Sequence, residues 1–101
     1  MLEQPAIKAL EVIANTLVGT GRYQTQTEAI RGIAIEQVNR KISLYESRVK
    51  RFEKKHRANF EIFGKRLRGR ATIRQEDEWM EWEAALAMLA AWRNAKKAIE
   101  N

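Results

Sequence analysis

Apolar residues recur at steps of three and four along most of the chain, which is the period of an α-helix. The first such segment starts beside Pro5, a residue suited to a first helical turn, and stops at Gly19 and Gly21, where glycine can close a helix C-terminus. This pattern predicts a first helix over residues 5–18. Its apolar positions are Ala6, Ile7, Leu10, Ile13, Ala14, Leu17 and Val18.

A much longer second helix is predicted over residues 26–57. Thr25 and Glu28 have the spacing of a capping box, with Thr27 as a competing cap. Such a helix is about 48 Å long, so the first helix cannot cover all of it. The apolar residues that follow the cap form a heptad seam made of Ile35, Val38, Ile42, Tyr45, Val49, Phe52 and His56.

Two further helices are predicted in the remainder of the chain. Asn59 can cap a short third helix that ends near Gly69. Thr72 and Gln75 again permit a capping box, and a fourth helix is predicted over residues 73–99. This helix has a wide apolar arc that contains Trp79, Met80, Trp82, Ala85, Leu86, Met88, Leu89, Trp92 and Ile99.

These elements predict an all-α fold. The long helix and the C-terminal helix are expected to form an antiparallel hairpin, with the short N-terminal helix and the short connecting helix packed at its two ends. At 101 residues the chain is expected to be one domain, in which residues 1–38 and 39–101 form distinct parts. Its apolar faces exceed what so small a monomer hides, so we expect a homo-oligomer, either a dimer or a higher assembly, or a protein partner. The pattern leaves open whether the long helix continues through Gly32, which costs about 1 kcal/mol relative to Ala in a helix interior.

Composition argues against several classes of protein. The chain has no Cys and a single His, so we expect neither a disulfide nor a zinc site. The longest apolar run is nine residues, Ala84 to Trp92, well short of the roughly 20 that span a bilayer. The N-terminal residues lack the pattern of a signal peptide, so a cytoplasmic protein is expected. No nucleophile or Gly-rich phosphate loop accompanies the acidic residues, so we expect no catalysis and no cofactor.

Positive charge is concentrated in the middle of the chain. The net charge is +6, but residues 39–74 hold thirteen basic and three acidic residues, net +10. Such a block suits nucleic-acid phosphates or an acidic protein, and it can equally be a solvated helix face. The candidate phosphate-binding residues are Lys50, Arg51, Lys54, Lys55, Arg57, Lys65, Arg66, Arg68 and Arg70.

The segment from Gly21 to Arg31 reads Gly-Arg-Tyr-Gln-Thr-Gln-Thr-Glu-Ala-Ile-Arg. It resembles the turn and second-helix start of ribbon-helix-helix antitoxins, which read Gly-Arg-Tyr-x-Ser-x-Ser-Glu-x-x-Arg. The resemblance implies that the helix start at Thr25 and Thr27 anchors a DNA phosphate. Only four residues precede Pro5, too few for the base-reading strand of that family. For residues 1–38 the resemblance therefore implies a dimerisation unit or a remnant of one.

Two later regions resemble small antitoxin-like proteins of type II toxin–antitoxin modules. Those proteins read Tyr-Glu-x-Arg-x-x-x-Phe-Glu-x-Lys-Tyr and, after a short helix, Trp-Met-Glu-Trp. The matching stretches here are Tyr45–Arg48, Phe52–His56 and Asp77–Glu83, with His56 in place of the last aromatic. The resemblance implies a cognate partner, a small ribonuclease-type toxin that this chain binds and inactivates.

The acidic start of the fourth helix is the candidate toxin-binding element. A toxin that cleaves RNA needs a basic active site, which carboxylates could occupy as phosphate mimics. One edge of the apolar arc is predicted to face the partner, because Trp is a usual anchor of interfaces. Trp79 and Trp82 can alternatively be core anchors, and His56 a packing residue. The predicted partner-binding residues are Glu76, Asp77, Glu78, Trp79, Glu81, Met88 and Trp92.

Three functions remain open at this point. The first is an antitoxin-like protein that occludes a toxin. The second is a basic helical protein that binds nucleic acid, such as a transcriptional regulator, through its central basic block. The third is a homo-oligomer with no other partner.

Overall fold

The structure is a computed structural model that describes all 101 residues. It contains no β-strand and four α-helices, which are α1 (Gln4–Gly19), α2 (Gln26–His56), α3 (Phe60–Leu67) and α4 (Ile73–Glu100). The predicted all-α fold is therefore confirmed, and α2 is continuous through Gly32. The chain divides into two compact units, Met1–Gln37 and Val38–Asn101.

In the first unit, Thr25 caps the start of α2. Its hydroxyl accepts a hydrogen bond from the backbone N–H of Glu28 at 3.1 Å. The Glu28 carboxylate accepts in turn from the backbone N–H of Gln24 at 3.4 Å, one residue earlier than a regular capping box requires. Of the two predicted caps, Thr25 is thus the one used, and Thr27 is exposed.

A close approach of Tyr23 to α2 explains the glycine in the middle of this helix. A Cβ atom on Gly32 would lie 2.1 Å from the Tyr23 hydroxyl oxygen and 2.7 Å from its ring carbon Cε1. The aromatic ring therefore packs directly against the helix backbone, where no other residue leaves room. Ala14 of α1 and Ala29 of α2 are both fully buried in the same unit.

In the second unit, α4 runs antiparallel to the C-terminal half of α2. Three contacts show the direction: Glu78 pairs with His56, Trp82 stacks on Phe52 and Arg93 pairs with Glu46. Later residues of α4 thus contact earlier residues of α2. The predicted antiparallel hairpin is confirmed. The side chains that α4 buries are Trp82, Ala85 and Leu89.

A short connection turns α3 back onto the end of this hairpin. Arg57, the first residue after α2, has a left-handed backbone with φ of 50°, which ends the helix. Asn59 then caps α3 as predicted, its side-chain oxygen accepting from the backbone N–H of Ile62 at 2.9 Å. Arg66 of α3 donates to the backbone carbonyl of His56 at 3.0 Å, which ties α3 to the end of α2.

The predicted capping box at the start of α4 is also confirmed. The Thr72 hydroxyl accepts from the backbone N–H of Gln75 at 3.2 Å, and the Gln75 side chain accepts from the backbone N–H of Thr72 at 2.9 Å. These two bonds satisfy backbone N–H groups that have no partner within the helix. They fix the residue at which α4 and its acidic first turns begin. No helix combines the length and the apolar character that crossing a membrane would require.

The contact between Tyr23 and Gly32 predicts that a single methyl group has opposite effects in two backgrounds. In the wild-type chain Gly32→Ala should lower the free energy of unfolding by about 1 kcal/mol, because the ring must move away. In a Tyr23→Ala background the same change should raise it by about 1 kcal/mol, the difference in helix propensity. Urea unfolding followed by circular dichroism measures both, and the same sign in both backgrounds would contradict the contact.

Candidate functional site

An aromatic cluster holds the three helices of the second unit together. Trp82 is fully buried. Its ring is stacked on Phe52 at 5.5 Å and meets Phe60 edge-on at 5.5 Å and Phe63 at 5.3 Å. The His56 ring lies 4.1 Å from that of Phe63, so His56 is a packing residue. Aromatic pairs at these distances contribute beyond the area that they bury.

Glu78 forms the polar edge of this cluster. One carboxylate oxygen lies 2.6 Å from Nε2 of His56, and the other accepts from the ammonium of Lys55. Only 14% of the Glu78 side chain is exposed. The hydrogen bond from Lys55 is the main reason that the pKa of this carboxyl lies below its ordinary value, burial acts in the opposite direction, and the His56 contact lowers the pKa further. The charge of Glu78 is thus balanced within the chain.

A groove opens between α3 and the start of α4, which we call the α3–α4 groove. It encloses about 600 Å³. Trp79 stacks on Phe60 at 5.3 Å, and a Cβ on Gly64 would lie 3.2 Å from the Trp79 indole nitrogen, so the glycine lets the indole sit close to α3. Apolar and charged side chains alternate around the groove, which is lined by Phe60, Glu61, Gly64, Lys65, Leu67, Arg68, Ala71, Glu76, Trp79 and Met80.

A second, smaller groove of about 410 Å³ lies between α2 and α4. The guanidinium of Arg48 lies 5.1 Å from the centre of the Tyr45 ring on one wall, within the range of a cation–π contact. The groove is lined by Tyr45, Arg48, Arg51, Phe52, Glu81, Ala84, Ala85 and Met88. It lies on a different side of α4 from the α3–α4 groove.

The predicted partner-binding residues do not form one patch. Glu76 and Trp79 line the α3–α4 groove, whereas Glu81 and Met88 line the groove between α2 and α4. The remaining three are exposed Asp77, half-buried Trp92 and the paired Glu78. The structure therefore divides this set between two surfaces.

The α3–α4 groove also contains residues that the sequence analysis did not predict to bind a partner. Phe60, Leu67 and Met80 supply much of its apolar wall, and Met80 is 60% exposed. The available signal was Gly64, a glycine inside a short helix four residues after Phe60, because such a glycine often permits close packing of a neighbouring side chain.

The candidate phosphate-binding side chains lie on the surface of the second unit. Lys55 pairs with Glu78 and Arg66 donates to a backbone carbonyl, while the others make no ion pair within the chain. No group of three or more His, Cys, Asp or Glu side chains is arranged to hold a metal ion. The exposed basic residues are Lys50, Arg51, Lys54, Lys55, Arg57, Lys65, Arg66, Arg68 and Arg70.

The pairing of Glu78 predicts a pH-dependent contribution to stability. Because the folded pKa lies below the ordinary value of 4.5, this contribution is present above pH 4.5 and is lost as the pH falls through the folded pKa. Glu78→Gln should lower the free energy of unfolding near neutral pH, and the difference from wild type should shrink in acid. Urea unfolding across this pH range measures it, with Glu76→Gln, at an exposed position, as the control. A difference that stays constant with pH would contradict the pairing.

Comparison with known proteins assigns no family. No family model, curated protein or solved structure matches this chain. Function is therefore inferred from the residues and geometry of the chain itself.

Proposed function

We propose that this chain is a non-catalytic, antitoxin-like protein that binds a small ribonuclease-type toxin in the cytoplasm and blocks its active site. The observation that supports this proposal is the α3–α4 groove, an open cleft at the acidic start of α4. Its wall is apolar at Phe60, Leu67, Trp79 and Met80, and its lining also carries Glu61, Lys65, Arg68 and Glu76. A toxin that cleaves RNA has a basic, phosphate-binding active site. A surface with an apolar anchor site next to free carboxylates is complementary to it.

The groove has the properties of an anchor site for a partner side chain. Its volume of about 600 Å³ lies within the range of ligand pockets. Trp79 is held in place by Phe60, so little side-chain entropy is lost when a partner packs on it. Trp residues in such pockets often carry a large share of binding energy. The same Trp79 belongs to the Trp-Met-Glu-Trp element that resembles antitoxin-like proteins.

Three carboxylates in the first turns of α4 are free to face a basic partner, of which Glu76 lines the α3–α4 groove and Glu81 lines the groove between α2 and α4. Glu76, Asp77 and Glu81 are exposed and make no ion pair within the chain. At about 100° per residue they cover roughly 140° of the helix circumference, which one concave site can enclose. Glu78, the fourth acidic residue, is instead committed to Lys55 and His56. Occlusion of the active site therefore rests on the three free carboxylates.

Nucleic-acid binding is the second candidate, favoured by the exposed basic residues of α2 and α3. Lys50, Arg51 and Lys54 extend from one face of α2 without acidic partners. Phe60 and Phe63 are engaged in ring contacts with Trp residues, so neither of these two rings is free for a base to stack on. Any binding here would run through phosphates and would weaken steeply with salt. It is compatible with a toxin-binding α4.

A capture experiment followed by an activity assay tests the proposal. The tagged chain is recovered from its native host at about 1 M salt, which strips nucleic acid, and retained proteins are identified by mass spectrometry. We expect one small protein in stoichiometric amount. Purified alone, it should cleave RNA, and an equimolar amount of this chain should stop the cleavage.

The role of the carboxylates is tested with two matched triple variants at about 0.15 M salt. Neutralising Glu76, Asp77 and Glu81 to their amides should weaken inhibition at least about tenfold, a loss of about 1.4 kcal/mol. The control neutralises three exposed acidic residues elsewhere, Glu11, Glu53 and Glu100, and should inhibit like wild type. Equal inhibition by both variants would refute occlusion by these carboxylates. Recovery of nucleic acid alone, released by salt, would favour the second candidate instead.

A further inference from the structure

The outer side of α4 carries a mostly apolar, solvent-exposed face that is interrupted only by Asn94. Its buried residues, Trp82, Ala85 and Leu89, point elsewhere, yet Met80 and Met88 are 60% and 40% exposed. Large apolar areas left in contact with water commonly mark interaction sites. We call this surface the α4 outer face, and it consists of Met80, Ala84, Ala87, Met88, Ala91, Ala95 and Ala98.

The spacing of these residues fits the packing of a second helix. Met80, Ala84, Ala87, Ala91, Asn94 and Ala98 alternate in steps of four and three, which is the seam of a coiled coil with one polar position, Asn94. Met88 and Ala95 border the seam on one side. Small side chains at the seam allow two helix axes to approach to about 8 Å, the short end of the usual range.

The charges that flank the seam identify the second helix. Glu76, Glu83 and Lys97 occupy equivalent positions, seven or fourteen residues apart, along one flank. When two α4 helices pack antiparallel with Ala87 opposite the Ala91 of the other copy, these flanks face each other. Glu83 then lies against the partner subunit's Lys97, and two-fold symmetry repeats this pair. Neither Glu83 nor Lys97 has an ion-pair partner within the chain, so both are available.

A parallel pair of the same helices would place like charges together. In a parallel pair, the flank of one copy that carries Glu76 faces the other flank of the second copy, which carries Glu81. Glu76 would then lie beside the partner subunit's Glu81. Because charges at these positions set the orientation of helix pairs, the acidic N-terminal half and basic C-terminal half of α4 favour the antiparallel pair.

We propose that two copies of this chain form a symmetric dimer through the α4 outer face, with their α4 helices antiparallel and Glu83 paired with the partner subunit's Lys97. The proposal does not depend on toxin binding, because it rests on the spacing and charges of α4 alone; Met80 in the seam and Glu76 on its flank also line the α3–α4 groove.

Charge reversal on the full chain tests the dimer and its orientation together. Sedimentation velocity over about 1–100 μM should show the wild-type chain converting from monomer to dimer. Glu83→Lys and Lys97→Glu should each raise the dimer dissociation constant about tenfold, because each turns two attractive pairs into two repulsive ones. The double variant should restore the wild-type constant, since it exchanges the two charges.

Two further variants test the face itself. Ala87→Glu places an unpaired charge in the centre of the seam and should give a monomer at every concentration. Ser47→Glu adds the same charge at an exposed position of α2 and should dimerise like wild type. Circular dichroism verifies that each variant keeps its helix content, as expected for exposed positions.

Three results would overturn the proposal. The first is a wild-type chain that stays monomeric throughout, including one that shifts only when another protein is added. The second is equal dimerisation of Ala87→Glu and Ser47→Glu, which would place the contact on a different surface. The third is a double variant whose dimer dissociates as readily as those of the single charge reversals, which would exclude the antiparallel pair. None of these results bears on inhibition of a toxin, so the two proposals fail separately.

Discussion

Trp82 is the one large side chain that the structure buries completely. The rings packed against it are Phe52 of α2 and Phe60 and Phe63 of α3. The other buried residues of the second unit are Val38, Phe63, Ala85 and Leu89, so Trp82 and Phe63 of the aromatic cluster are the only rings that this unit buries. Phe60 contacts both Trp82 and Trp79. Through Phe60, the cluster that stabilises the hairpin also fixes the wall of the α3–α4 groove.

This unit has two ion-pair groups, Glu78 with Lys55 and His56, and Glu46 with Arg93. Glu78 balances Lys55 beside the aromatic cluster, and partial burial of the Glu78 carboxylate is tolerable because it has a close partner of opposite charge. The other acidic residues at the start of α4 and the other basic residues of α2 remain facing solvent. One helix therefore presents negative charge and its neighbour positive charge. This separation gives the chain two surfaces with opposite electrostatic preferences.

The sequence predicted most of what depends on local structure. The helices, the caps at Thr25, Asn59 and Thr72, and the antiparallel hairpin all follow from spacing and from short-range hydrogen bonds. The reason for a glycine at position 32 of α2 could not be predicted, because the Tyr23 ring that occupies the missing Cβ position comes from outside the helix. The pairing of Glu78 with residues more than twenty positions earlier and the α3–α4 groove arise only when the helices pack together.

The connection between α2 and α3 consists of three residues, from the left-handed Arg57 to the capping Asn59. Nothing in so short a link can absorb a change in the length of either helix. One inserted residue in the last turns of α2 would rotate everything beyond it by about 100° and would turn the Phe60 and Phe63 rings away from Trp82. This part of the chain can therefore diverge by substitution while its length stays fixed, and insertions should accumulate elsewhere.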